Sequence, residues 1–216
     1  GLRVFALGDP RRCRALTALV LLGPATPLLF MGQEFAASSP FLYFADHEPE
    51  LAALVRAGRA RFLAQFESLA EAAMQAQLDD PGAPATFERS KLDLSERARP
   101  PHAAVLALHR DLIELRRSDP VFRAQAAHGM DGAVLGPGAL ALRFYAPDRR
   151  DRLVLVNLGT DLPLVSQAEP LLAPPAGTMW GLLWSSEDPR YGGTGTPALA
   201  RSGLLAPGGA ALVLGP

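Results

Sequence analysis

The sequence predicts an α/β portion followed by an all-β portion, read as the end of a barrel of parallel strands and then an antiparallel β-sandwich. Three observations carry this. A helical stretch, a tight link and the apolar run Pro27–Met31 follow one another, which is half of a βαβ unit. The polar pair Gln33-Glu34 and the aromatic and acidic patch Phe41-Leu42-Tyr43-Phe44-Ala45-Asp46-His47 come where such a strand would emerge. After about Ala127 short apolar runs alternate with Gly- and Pro-rich turns, and helical periodicity stops. The division expected is residues 1–126, the barrel end, and residues 127–216, the sandwich, with a boundary near Arg123–Gly129.

Asp9-Pro10 predicts a helix start, since Asp caps free N–H groups and Pro fits the first turn. Leu16, Leu19, Val20 and Leu22 are its apolar residues, and Gly23-Pro24 ends it. Five apolar residues, Pro27 to Met31, are short for a helix and suit a strand buried on both faces. Such a strand needs a parallel neighbour. That neighbour is expected before residue 1, so the sequence reads as cut from a longer protein.

From Glu48 to about Gln77 a helix is predicted, with Leu51, Leu54, Val55, Phe62, Phe66 and Leu69 as its buried stripe. Residues 79–84 are a loop by composition, and Thr86 to Arg99 reads as an irregular surface segment. Pro100-Pro101 opens a further helix to about Arg117, with Val105, Leu108 and Leu112 among its buried residues and Arg116-Arg117 complementing its dipole. In the last part, strands are predicted over 139–146, 153–158, 179–184 and 210–214. Pro147 to Asp151 reads as a hairpin connection, and Pro207-Gly208-Gly209 as a turn.

Composition narrows function. Of 216 residues 49% are apolar, enough for a substantial core, and a net charge of −1 without a basic stripe gives no footprint for nucleic acid. No apolar run reaches the length of a membrane span. Cys13 is the only cysteine, which excludes an internal disulfide and suggests a reducing, cytoplasmic setting.

Glycoside hydrolysis needs two carboxylates flanking a sugar linkage, and Glu34 and Asp46 lie near the expected rim. The opposing reading has Glu34 in a hydrogen-bond network at the strand end and Asp46 capping the helix near Glu48; the local pattern favours it, above all for Asp46. Phe41, Tyr43 and Phe44 fit either a stacking platform for a sugar ring or ordinary packing, Tyr43 having the polar tip. His102 and His109, seven residues apart, are separated by about 10.5 Å of helical rise, too far to share one ion. They read as surface or packing residues. His47-Glu48-Pro49-Glu50-Leu51 lacks the second His of a zinc-protease motif, and Gly192-Gly193-Thr194-Gly195 lacks the helix a phosphate loop requires. No metal or other cofactor is expected. Trp180 and Trp184, four apart in a predicted strand, should share a face, as core rather than as a carbohydrate patch.

The stretch Thr26–Glu34 resembles the last barrel strand of the α-amylase superfamily of glycoside hydrolases. The continuation Met31-Gly32-Gln33-Glu34-Phe35-Ala36-Ala37-Ser38-Ser39-Pro40-Phe41-Leu42-Tyr43-Phe44-Ala45-Asp46-His47 narrows this. Together with Thr86-Phe87-Glu88-Arg89-Ser90-Lys91-Leu92-Asp93 and Leu106-Ala107-Leu108-His109-Arg110-Asp111-Leu112, it resembles the malto-oligosyltrehalose trehalohydrolases over residues 26–123. Leu94 departs from the Trp expected after Lys-Leu-Asp. The resemblance implies an incomplete (β/α)8 barrel plus a C-terminal β-sandwich. It also implies hydrolysis of the α-1,4 linkage beside the trehalose end of maltooligosyl trehalose, with retention. All three family carboxylates are expected upstream of this stretch, the third in an Asn-His-Asp motif that does not occur here. No catalytic residue is therefore carried onto this sequence. Gln33, Tyr43 and Asp46 are the expected substrate contacts, with Glu34 structural. A branching or debranching relative, or a carbohydrate-binding module using Trp180, Trp184 and Tyr191, are the alternatives.

Overall fold

The computed structural model describes residues 1–165, 167–196 and 205–216. Among the described residues eight α-helices come first: α1 (Val4–Leu7), α2 (Pro10–Leu22), α3 (Pro49–Leu63), α4 (Glu67–Ala70), α5 (Ala72–Gln75), α6 (Pro84–Ser90), α7 (His102–Ser118) and α8 (Pro120–Arg123). The strands described after them are β1 (Met130–Gly136), β2 (Ala139–Phe144), β3 (Arg152–Asn157), β4 (Leu162–Pro163), β5 (Gly181–Ser185), β6 (Leu205–Ala206) and β7 (Ala210–Gly215).

Helix α2 starts and stops as its sequence dictates. The Asp9 carboxylate accepts from the Arg11 N–H at 2.9 Å, and Gly23 closes the last turn on Leu19 O. Its buried face is built from Ala15, Ala18, Leu21 and Leu22, while Leu16 and Val20 face outward. Small residues let the helix lie close against its neighbours. Its C-terminal carbonyls are capped from α7: the Arg116 guanidinium donates to Leu21 O (2.8 Å), Gly23 O (2.5 Å) and Ala25 O (3.0 Å).

The main sheet is antiparallel, in the order β1-β2-β3-β7-β5. One face packs on the helices: Phe144, Val154, Val156, Trp184 and Val213 meet Ala18, Leu22, Leu108, Leu112 and Phe122 in one cluster. The other face carries Leu135, Ala141, Leu153, Leu155, Leu212 and Leu214, covered by Leu164 and Ala206 beside the short β4–β6 ladder. Being buried on both faces, β3 and β7 read as continuous apolar runs rather than as alternations. Asn157 closes the end of β3, its amide donating to Thr160 O and Ala206 O and its carbonyl accepting from Gly159 N–H.

Polar ties join helices to sheet. The Arg14 guanidinium donates to Glu187 at 2.6 Å, and the two side chains are 6% and 1% exposed. Arg152 pairs with Asp119 at 2.8 Å, and Asp119 also caps α8 through the N–H groups of Val121 and Phe122. The Tyr191 hydroxyl donates to Asp111 on α7 at 2.5 Å and accepts from the Trp184 indole at 3.1 Å. Burial and the Asp111 carboxylate push the Tyr191 phenol well above its ordinary range.

Four expectations are corrected. Pro27–Met31 is not a strand: residues 27–30 have no regular structure, Met31 lies in a turn, and Leu28 is 92% exposed. A strand buried on both faces needs neighbours, and among the described residues none pairs with it. The helix expected from Glu48 to Gln77 ends at Leu63, two short turns follow, and α3 has no buried residue; Leu51, Leu54, Phe62 and Phe66 stand exposed. The segment expected to be irregular contains α6 and a 3-10 turn, Leu94–Ala98, whose start Asp93 caps through Ser95 N–H. Trp180 and Trp184 lie on opposite faces. A bulge between Leu182 and Trp184 pairs Leu182 with Leu214 but Trp184 with Val213, which shifts the alternation by one residue.

Candidate functional site

The residues singled out from the sequence sit on the connection between α2 and α3. Gly32 has φ +81°, and a Cβ there would meet Leu92 Cδ2 at 2.7 Å and Ala37 Cβ at 2.9 Å, so only glycine allows this tight turn. The chain then makes a single 3-10 turn, Gln33–Phe35, with Phe35 fully buried, and leaves it through Ala36 at φ +51°. Gln33 Oε1 accepts from Phe30 N–H at 3.3 Å, and Gln33 lines a cavity of about 270 Å³ with Arg3, Phe30 and Phe41.

Tyr43 lines a second cavity, about 350 Å³, and the Arg59 guanidinium lies over its ring at 4.7 Å. Asp46 lines a third, about 550 Å³, walled by Phe44, Phe87, Pro81 and Pro84. Each of the three candidate contacts thus faces a different cavity. A row of edge-to-face rings connects them: Phe30–Phe41 at 4.8 Å, Phe41–Phe44 at 5.8 Å and Phe44–Phe87 at 5.0 Å. Apolar ring faces beside a carboxylate, an amide and a phenol are surfaces on which sugar rings stack while their hydroxyls find partners.

Two structural readings of the acids are corrected. Asp46 does not cap α3; the N-cap is Glu48, without a side-chain hydrogen bond. Glu34 is half-buried and makes no hydrogen bond among the described residues, although its charge acts on His109. His109 is buried in α7, its Nδ1–H donating to Val105 O at 2.9 Å and its Nε2 without a partner among the described residues. Burial lowers its pKa, opposed by the Val105 bond and by the Glu34 carboxylate. The carbohydrate-patch alternative loses two contacts, since Trp184 and Tyr191 are buried, and Trp180 donates to Leu172 O at 2.8 Å.

Sequence reasoning passed over Arg3 and Glu96, and read His102 only as a surface or packing residue, yet these three fasten the connection. Arg3 donates from Nε to Ser39 O at 2.6 Å and from Nη1 to Met31 O at 2.7 Å. His102 Nδ1 lies 3.1 Å from both Phe35 O and Ala36 O, and since carbonyls only accept, this nitrogen carries the proton. Glu96 accepts from Ser38 N–H at 3.0 Å and from the Ser38 hydroxyl. Those two bonds hold its carboxyl below the ordinary carboxylate range. Among the described residues no three His, Cys, Asp or Glu side chains cluster as metal ligands, and no helix is long and apolar enough to cross a membrane.

Comparison with known proteins agrees with this picture. A crystal structure of a putative alpha amylase from Salmonella typhimurium superimposes on 99% of this chain and 32% of its own, with TM-score 0.71 and 29% identity. Fold and likeness together define the class: the chain is related to α-amylase-type glycoside hydrolases. A malto-oligosyltrehalose trehalohydrolase from Deinococcus radiodurans is 40% identical over 156 residues, 70% of this chain and 24% of that protein. Another, from Arthrobacter ramosus, is 50% identical over 108 residues, 50% of this chain and 18% of that protein. The chain is thus similar to the malto-oligosyltrehalose trehalohydrolases. Residues 127–213 also match a domain of unknown function, DUF3459. The chain spans about a quarter or less of the length of these curated relatives.

Proposed function

We propose that this chain is the C-terminal portion of an enzyme that hydrolyses the α-1,4-glucosidic linkage next to the trehalose end of maltooligosyl trehalose, releasing trehalose. In this reading residues 1–126 complete a (β/α)8 barrel, residues 127–216 form the accessory β-sandwich, and the whole enzyme works in the cytoplasm. Gln33, Tyr43 and Asp46 contact substrate, and the catalytic carboxylates lie in another part of the enzyme. The observation that carries the proposal is the identity to two proteins of that name, 40% over 156 residues and 50% over 108. Exposed apolar residues on α3 and along Pro27–Met31 support it, since a barrel would cover them.

The test is to assay the longer protein that contains this chain on maltooligosyl trehalose and on glycogen, and the 216-residue chain beside it. Trehalose release by the longer protein alone is expected. Activity on glycogen only, or trehalose release by the 216-residue chain, defeats the proposal.

A further inference from the structure

The connection that carries Gln33 folds back on itself through two left-handed residues, Gly32 and Ala36. For Ala36 this conformation is unfavourable, so it persists only where the surroundings enforce it. Three side chains distant in sequence enforce it. Arg3 bridges the two ends of the loop at Met31 O and Ser39 O. His102 donates to the carbonyls of Phe35 and Ala36, on either side of the strained linkage. Glu96, itself buried, takes both the N–H and the hydroxyl of Ser38.

The pattern is economical in an instructive way. Arg3 and His102 satisfy only carbonyl oxygens, and Glu96 satisfies only N–H and O–H groups, so the loop's exposed backbone dipoles are answered from outside in matching sense. The loop supplies two bonds of its own, Ala37 N–H to Gly32 O at 2.8 Å and Ala36 N–H to Gln33 O at 3.1 Å. Immediately beyond it, Leu42 N–H donates to Ser90 Oγ at 3.1 Å, fixing the start of the aromatic patch.

We propose that Glu96, acting with His102 and Arg3, is a positioning residue for sugar recognition: it holds the 32–38 loop in the shape that presents Gln33 and sets the path of Phe41 to Asp46. Glu96 touches no substrate in this scheme; it acts through Ser38. The inference rests on the function proposed above for its substrate. The clamp itself rests only on the geometry.

The test compares Glu96→Ala with Glu96→Gln, which keeps a carbonyl acceptor for Ser38 N–H. In the 216-residue chain, hydrogen exchange at the Ser38 and Ala37 amides is expected to quicken by about tenfold or more in Glu96→Ala and to recover largely in Glu96→Gln. In the longer protein Glu96→Ala is expected to raise KM for maltooligosyl trehalose about fivefold or more with kcat within about twofold, again rescued by Gln. Unchanged exchange in Glu96→Ala overturns the clamp. Faster exchange with KM unmoved, whether kcat holds or falls in step with the folded fraction, overturns the positioning role. If the unsubstituted longer protein does not act on maltooligosyl trehalose, the substrate reading and the positioning role fall together, while the exchange result still decides the clamp.

Discussion

Removing Glu187, just beyond β5, should destabilise this protein strongly, because it strands a buried cation. Its Oε1 accepts from Arg14 Nη2 at 2.6 Å, and Oε2 accepts from Thr194 N–H at 3.4 Å and Thr194 Oγ1 at 3.2 Å. Arg11 adds only a long contact at 3.8 Å from a half-exposed side chain. In Glu187→Ala the Arg14 guanidinium stays buried and, among the described residues, keeps one bond, Nε to Ser186 O at 3.0 Å. An uncompensated buried cation of this kind destabilises by about 3–5 kcal/mol. With a urea m-value of about 2 kcal/mol per molar, the unfolding midpoint should fall by about 2 M. The double change Arg14→Met with Glu187→Leu removes both charges and keeps apolar volume, and should restore most of that loss. Urea unfolding followed by tryptophan fluorescence measures all three proteins, Trp184 lying in the adjoining core. A loss below about 1 kcal/mol for Glu187→Ala, or a double variant no better than the single, refutes the reasoning.

Three further outcomes are expected. Tyr191→Phe leaves the Trp184 indole N–H and one bond to Asp111 unmade, and should lose about 1–3 kcal/mol in the same assay. Because burial lowers the folded pKa of His109, the unfolded chain takes up protons first on acidification. Its contribution to stability is full above about pH 6.5 and declines as pH falls toward the lower folded value. Urea midpoints at pH 7.5 and 5.5 should differ less in His109→Met than in the unsubstituted protein. Gly193→Ala places a methyl 2.2 Å from the Glu187 carbonyl carbon and should lower the melting temperature, whereas Gly136→Ala, with nothing within 4 Å, should leave it unchanged.

What the sequence made legible follows the range of the forces involved. Capping and periodicity are local, so α2 and α7 emerge within a residue or two, and the four strands named from apolar runs reappear as β2, β3, β5 and β7. Strand β1 was missed because Gly132 and Gly136 interrupt a run whose outward residues include the exposed Val134. The strand expected at Pro27–Met31 depends on partners, which no local pattern supplies. The bulge in β5 is likewise invisible to period counting, so one extra residue separates Trp180 from Trp184 across the sheet. At the candidate site the aromatic row was visible as composition, and its rings do meet. Arg3, Glu96 and His102 were not, because they reach the loop across 36, 58 and 67 residues of sequence.

The sheet is greasy above and below, and the layer that shelters one side comes from α2, α7 and α8. Severing the polypeptide near residue 126 would therefore bare Phe144, Val154, Val156 and Val213 to solvent together, a recipe for clumping rather than for a tidy independent module. Anyone dissecting this molecule to ask what its carboxy-terminal half does alone should carry those three helices along, or graft polar residues onto the uncovered side first.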